Sequence, residues 1–270
     1  MSLFNSAIDA VLRAFYAAFA WAPPALGLTV LSAVVGIAML WVFRKTSNQK
    51  RMKAVKRKVY ASLLELRVYA DEPVVTWRAQ KSLFGANLRY MGLALKPALF
   101  MALPVALLLI HLESFYGRAP LPVRQETVVT MGMSDSWSPE APAPSLAAPA
   151  QIEIGPAVRV VDAREVTWRI RPRAEVSGQL RFLIAGQPVT KTIEAGAQPR
   201  YIPGKSVSSP LEAIWNPGES IDTPQVKWVD VRYPEASLSV FGFTMNWLVW
   251  FFLVSMVAAL LLKNRFGVVI

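Results

Sequence analysis

Three stretches of this chain run for close to one bilayer thickness almost without charge. Residues 25–43 are 19 positions with no charged side chain, residues 91–112 are 22 with Lys96 as their one formal charge, and residues 240–262 are 23 with none. A hydrocarbon core roughly 30 Å thick is crossed by about 20 residues at ~1.5 Å rise each. Each run is therefore long enough to span, and three transmembrane helices are expected over residues 23–43, 95–112 and 240–262.

The segments between the runs carry a helical period on one side and a strand period on the other. In residues 1–22, Phe4, Ile8, Val11, Leu12, Phe15 and Phe19 recur at three- and four-residue steps, ending at Trp21 and the Pro23-Pro24 pair. This predicts an amphipathic helix that lies in the membrane interface, with packing against a protein domain as the alternative. In residues 44–94, Met52, Val55, Val59, Leu63 and Leu66 form one stripe and Trp77, Phe84, Leu88 and Met91 a second. "ADEPVV" at 70–75 separates them, with Asp71 placed to cap and Pro73 to open the second helix. The expected form is a hairpin of two antiparallel helices whose two stripes cover each other. Beyond the second run, residues 113–150 include the Pro/Ala/Ser-rich "MGMSDSWSPEAPAPSLAAPA" and read as a linker. Residues 151–239 change to short strands such as "EVTWRIR", "QLRFLIAG" and "VKWVDVRY", separated by turn formers. The fold class expected is a membrane α-helical protein with an extracytoplasmic, all-β, sandwich-like domain.

Charge orients this arrangement. The chain has a formal net charge of +11 with 54% hydrophobic residues. Residues 44–94 hold 12 basic and 3 acidic side chains, whereas residues 113–239 hold 13 and 14. Lysine and arginine in short loops beside a span mark the cytoplasmic side. The hairpin and the tail 263–270 are thus expected in the cytoplasm, and the N-terminus and 113–239 outside, in the periplasm of a bacterial inner membrane. The basic run "RKTSNQKRMKAVKRK" at 44–58 contains no acidic residue. Beside a span it attracts anionic lipid, and no stacking platform accompanies it, which excludes DNA as the partner. Lys50, Arg51, Lys53, Lys56, Arg57 and Lys58 are its candidate contacts to lipid, to a client protein or to the ribosome.

Candidate chemistry is sparse. There is no cysteine, and His111 is the single histidine, placed at the end of the second run where an interfacial role is expected. No nucleophile–base pair, metal-ligand spacing or phosphate loop is present, so no enzyme activity, metal or cofactor is expected. The mixed charges Asp162, Glu165 and Glu175 beside Arg164, Arg169, Arg171 and Arg173 fit solvent-facing strand positions. Within the runs, Thr29, Ser32, Asn246 and Ser255 are polar, and residues of this kind either pack helices together or line a weakly polar groove.

The stretches "LSAVVGIAMLWVFRKTSNQKRMKAVKRKVYASLLELR" (31–67) and "LRYMGLALKPALFMALPVALLLIHL" (88–112), in this order with a final span, resemble the YidC/Oxa/Get/EMC superfamily of membrane-protein insertases. The likeness is to its minimal three-span members with a cytoplasmic coiled coil, and it covers residues 1–112 and 240–270. The chain is also similar to bacterial inner-membrane proteins with the same "FRKTSNQ" exit and "FGVVI"-like end. The superfamily resemblance implies assistance to insertion, folding or assembly of nascent or client membrane proteins without covalent chemistry, through a hydrophilic groove open to cytoplasm and lipid. The chain departs from it in two respects: no arginine lies at mid-depth in a span, and the β domain sits between the second and third spans. A structural subunit that binds an envelope partner through its β domain is the alternative.

Overall fold

Where the apolar runs meet helix-starting and helix-stopping residues, the chain folds into long helices. The computed structural model describes residues 2–19, 21–138, 142–184, 186–196 and 201–268. It divides into a unit of residues 1–27 and 107–247 and a second of 28–106 and 248–270.

The helices α1 (Ser2–Ala18), α2 (Pro24–Thr46), α3 (Gln49–Val68) and α4 (Pro73–Leu112) follow one another. Proline opens α2 and α4, where its missing N–H is not needed. Arg44 and Lys45 occupy the last turn of α2, where the carbonyl ends favour cations. Asn48 caps α3, its side chain accepting from the Arg51 amide at 3.1 Å. The Thr76 hydroxyl donates to the Tyr69 carbonyl at 3.0 Å and fixes the turn into α4. The second hairpin arm and the second apolar run, expected as separate segments meeting at residue 95, are one 40-residue helix with Pro97 and Pro104 inside it.

Among the described residues, two helices are long and apolar enough to cross a membrane, Pro24–Thr46 and Pro73–Gly117. The third expected span is shorter than its apolar run. Residues 238–245 fold into the hairpin β9 (Leu238–Val240) and β10 (Phe243–Met245), leaving α6 (Trp247–Leu262) only 16 residues. Phe241 and Gly242 at the tip both have positive φ, 50° and 85°, the twist a two-residue hairpin turn demands. Hydropathy could not separate this apolar hairpin from the helix after it.

The first unit holds the β domain. After a π-helical turn (Glu113–Gly117) come β1 (Thr127–Met133), β2 (Ser145–Ala147), β3 (Ile152–Val160), β4 (Glu165–Pro172), β5 (Val176–Ile184), β6 (Gln187–Ala195), β7 (Ser206–Val207), the short α5 (Glu212–Trp215) and β8 (Val226–Val231). One sheet has the order β3-β4-β1-β8-β7 and another β2-β5-β6, with antiparallel pairing throughout. Alternate residues of β4 (Val166, Trp168, Ile170) and β5 (Leu180, Phe182, Ile184) enter one core, where the Trp168 and Phe182 rings lie 5.4 Å apart. Two facing sheets around a shared core make a sandwich.

The domain starts earlier than its strand pattern suggests. Residues 113–150, expected as a linker, contain β1 and β2, and β1 is the central strand of the larger sheet, pairing Val129 with both Trp168 and Val231. β1 lacks the period-2 alternation because Met131, Gly132 and Met133 are buried in succession. Trp228 lies over Gly132, where an added Cβ would meet its ring nitrogen at 2.3 Å.

The amphipathic α1 packs part of its surface on protein. Leu12 is buried, Tyr16 stacks on Phe115 at 4.8 Å and meets Tyr116 at 5.1 Å, and Arg13 sits 4.3 Å above the Tyr201 ring. Val11 stays exposed. The expected interfacial helix thus uses part of its surface to dock on the unit that carries the β domain. Of its expected apolar face, the side chain of Phe4 lies outside the described residues.

Candidate functional site

The two hairpin arms meet through small residues. Met52 and Ser62 on α3 and Ala79 and Ala86 on α4 are buried, and the Ser62 hydroxyl donates to the Ser82 hydroxyl at 3.1 Å. On α4, Ala79, Ser82 and Ala86 recur at steps of three and four, the spacing of a coiled-coil seam, and their small side chains let the two backbones approach. Val55, Val59 and Leu66 are half-buried beside it, whereas Leu63 is exposed.

The second stripe lies elsewhere than its hydrophobicity suggests. Trp77, Phe84, Leu88 and Met91, expected to face α3, are 72%, 68%, 53% and 63% exposed. α4 carries two apolar faces, one of Ala79, Ser82 and Ala86 and one of large side chains. Close packing selects the small one, so the large one points outward. It continues through Leu95, Leu99 and Leu103, all exposed. Arg78, Lys81, Arg89 and Lys96 are exposed along the same helix, which contains no aspartate or glutamate. On α3, Lys50, Arg51, Lys53, Arg57 and Lys58 are exposed and Lys56 is half-buried. The result is a helical hairpin with a basic surface and a long uncovered apolar edge.

The polar residues of the apolar runs stand in a tight helix contact. Leu28, Ser32, Gly36 and Leu40 are buried at every fourth position of α2. A Cβ on Gly36 would lie 2.4 Å from the Ser255 carbonyl oxygen of α6, so the backbones touch there. The Ser32 hydroxyl donates to the Leu28 carbonyl at 2.6 Å and that of Ser255 to the Phe252 carbonyl at 3.1 Å. The Trp250 indole N–H donates to the Thr29 hydroxyl at 2.8 Å. The Ser32 and Ser255 hydroxyls thus bond back to their own helices, and that of Thr29 joins α2 to α6. Asn246 belongs to the other unit. His111, expected in the interface, is fully buried, with Nδ1 2.8 Å from the Leu107 carbonyl.

The β domain contributes a cleft of about 540 Å³ lined by Arg13, Thr192, Glu194, Tyr201, Pro203 and Glu219. Glu219 holds the Thr192 amide at 3.0 Å and its hydroxyl. Behind it, Lys191 is fully buried and its ammonium donates to the Gly204 carbonyl and, at 3.0 Å, to the Ser206 hydroxyl. Burial pushes its pKa down to about 8, against the opposing pull of Glu219 and Asp230. The alternation in "VTKTIEA" places Lys191 on the face of Val189, Ile193 and Ala195, all buried, a signal that the reading of charged residues as solvent-facing passed over. The arginines near Asp162, Glu165 and Glu175 pair elsewhere: Arg164 with Asp135, Arg171 with Glu126 and Arg173 with Glu153, all exposed pairs of small energetic weight.

The buried lysine sets a pH dependence. Its folded pKa lies below the unfolded value near 10.4. Between about pH 8 and 10 the unfolded chain therefore binds the extra proton, and stability rises with pH. Burial shifts the Tyr233 hydroxyl in the opposite sense, upward, so the unfolded tyrosine ionises first and stability falls above about pH 10. The thermal midpoint of the β domain, followed by near-ultraviolet dichroism in detergent, should climb from pH 8 to about 10 and then drop. Lys191→Met should remove the climb and leave the drop; an unchanged climb would dissociate it from Lys191.

No protein-family model, curated protein or solved structure matches this chain.

Proposed function

We propose that this chain is a multi-pass inner-membrane protein that assists the insertion, folding or assembly of other membrane proteins without covalent chemistry, as its resemblance to the insertase superfamily implies. In this reading α2, α4 and α6 are the spans, with the short α6 met by local thinning of the bilayer. The hairpin α3–α4 is cytoplasmic, and the β domain and N-terminus are periplasmic, as the positive-inside rule requires. The basic side chains from Lys50 to Lys58 face anionic headgroups.

The observation that carries the reading is the outward apolar face of α4. From Pro73 to Ala106 the helix extends about 50 Å at ~1.5 Å per residue, well beyond a hydrocarbon core of roughly 30 Å. Large apolar side chains line it both within the bilayer and beyond it. Such an edge suits handing an apolar segment from water to lipid. The close contact of α2 with α6 shifts the working surface away from Thr29, Ser32 and Ser255 and onto α4. Liposomes containing the purified protein should insert single-span clients with short translocated tails several-fold faster than empty liposomes; equal rates would overturn the reading.

The cleft between Arg13, Tyr201 and Glu219 favours a second reading, a scaffold subunit that holds an envelope partner through its periplasmic domain. Purification in mild detergent separates the two. A spread of membrane-protein clients supports the first and one stoichiometric envelope protein the second.

A further inference from the structure

We propose that the face of α4 over residues 77–91 docks an apolar helical segment of another polypeptide that carries carboxylates beside its apolar stretch. The proposal rests on the insertase-like reading and names the class of client the hairpin takes.

The shape of the face comes first. Trp77, Phe84, Leu88 and Met91 lie at steps of seven, four and three along one helix, forming a strip one side chain wide and about 21 Å long at ~1.5 Å per residue. A strip of that form is complementary to another helix, whose own three-and-four spacing can interdigitate with it. It is uncovered because the hairpin closes through Ala79, Ser82 and Ala86, which leaves the large residues outside the seam.

Length argues against lipid as the occupant. Residues 91–112 already supply 22 positions, enough for the bilayer core, and α4 runs without a break through Pro97. Residues 77–90 therefore continue out of the hydrocarbon on the same axis, and Trp77 stands about 21 Å beyond Met91.

Charge selects among protein occupants. Arg78, Lys81 and Arg89 are exposed around the strip, and α4 offers no carboxylate to neutralise them. A second copy of this chain would bring the same three cations to the same strip, and like charges placed together are repelled. A segment with aspartate or glutamate near its apolar stretch pairs with them instead. Basic flanks on a client would be rejected, which gives the surface a preference as well as an affinity.

The test places the photoreactive residue p-benzoylphenylalanine at Phe84 of the full-length protein in vesicles of phosphatidylethanolamine and phosphatidylglycerol. The probe is a synthetic 20-residue apolar helix with either glutamate or lysine flanks. The expected result is cross-linking to the glutamate-flanked peptide about tenfold above the lysine-flanked one. The double variant Lys81→Glu with Arg89→Glu, its helicity checked by circular dichroism, should reverse the order. Capture of lipid alone, a cross-linked dimer of the protein, or equal capture of both peptides would overturn the proposal. Client insertion is measured on the same vesicles. Insertion retained without peptide preference sinks this inference alone, whereas absent insertion with the preference intact sinks the insertase-like reading and leaves a binding surface.

Discussion

Replacing Phe182 with alanine is expected to unfold the β domain at temperatures where the unmodified protein is folded. Phe182 is fully buried between the two sheets and meets the Trp168 ring in a tilted contact across the core. Removing a buried phenylalanine ring costs about 3–5 kcal/mol, the lost transfer energy plus the cavity left behind. Domains of this size are stable by only about 5–15 kcal/mol, so the loss takes a large share. In full-length protein in detergent, the thermal midpoint of the β signal should fall by roughly 10–25 °C. The neighbouring Arg181 faces solvent on the same strand, and Arg181→Ala should shift the midpoint by about 1–2 °C at most. Equal effects at the two positions would mean that β5 presents the opposite face to the core.

The same Gly→Ala change should have opposite signs at two helical positions. At Gly36 an added methyl would lie 2.4 Å from the Ser255 carbonyl oxygen and 2.9 Å from its Cα. Those are backbone atoms, so α2 and α6 must separate, and the Trp250–Thr29 hydrogen bond is strained with them. Overpacking of that kind costs about 1–3 kcal/mol or more. At Gly85 on α4 nothing lies within 4 Å of the added methyl. There alanine contributes only its better helix propensity, about 0.8–1 kcal/mol of stabilisation. Thermal unfolding of the two variants in one detergent should show the first less stable and the second more stable than the parent. A neutral Gly36→Ala would mean that α2 and α6 do not pack through this contact.

The long helices were legible because their signals are local. Pro23-Pro24 mark a stop and Pro73 a start, and uninterrupted apolar runs need no knowledge of neighbours. The strands β4, β5 and β8 were legible for the same reason, through alternation along a half-buried surface. β1 was not, since a strand central to its sheet with three buried residues in a row carries no alternation and is followed by a Pro/Ala/Ser-rich tract. The third span was overestimated because the hairpin around Phe241 and Gly242 is as apolar as the helix it precedes, and hydropathy sums cannot see a reversal of chain direction.

The candidate surface divides along the same line. Composition and periodicity by themselves determined that the chain has long apolar helices, a basic helical hairpin with the excess of positive charge, and a separate strand-rich segment. Only the tertiary structure decided which face of α4 is used for what. Both faces are apolar at helical spacing, and hydrophobicity favours burying Trp77, Phe84 and Leu88. Packing density decides otherwise, because two helices gain more contact by meeting through Ala79, Ser82 and Ala86. It likewise decided that Thr29, Ser32 and Ser255 sit at a helix contact. A hydroxyl can bond its own helix or line a groove, and the deciding fact is whether a neighbouring backbone comes within touching distance, as it does at Gly36.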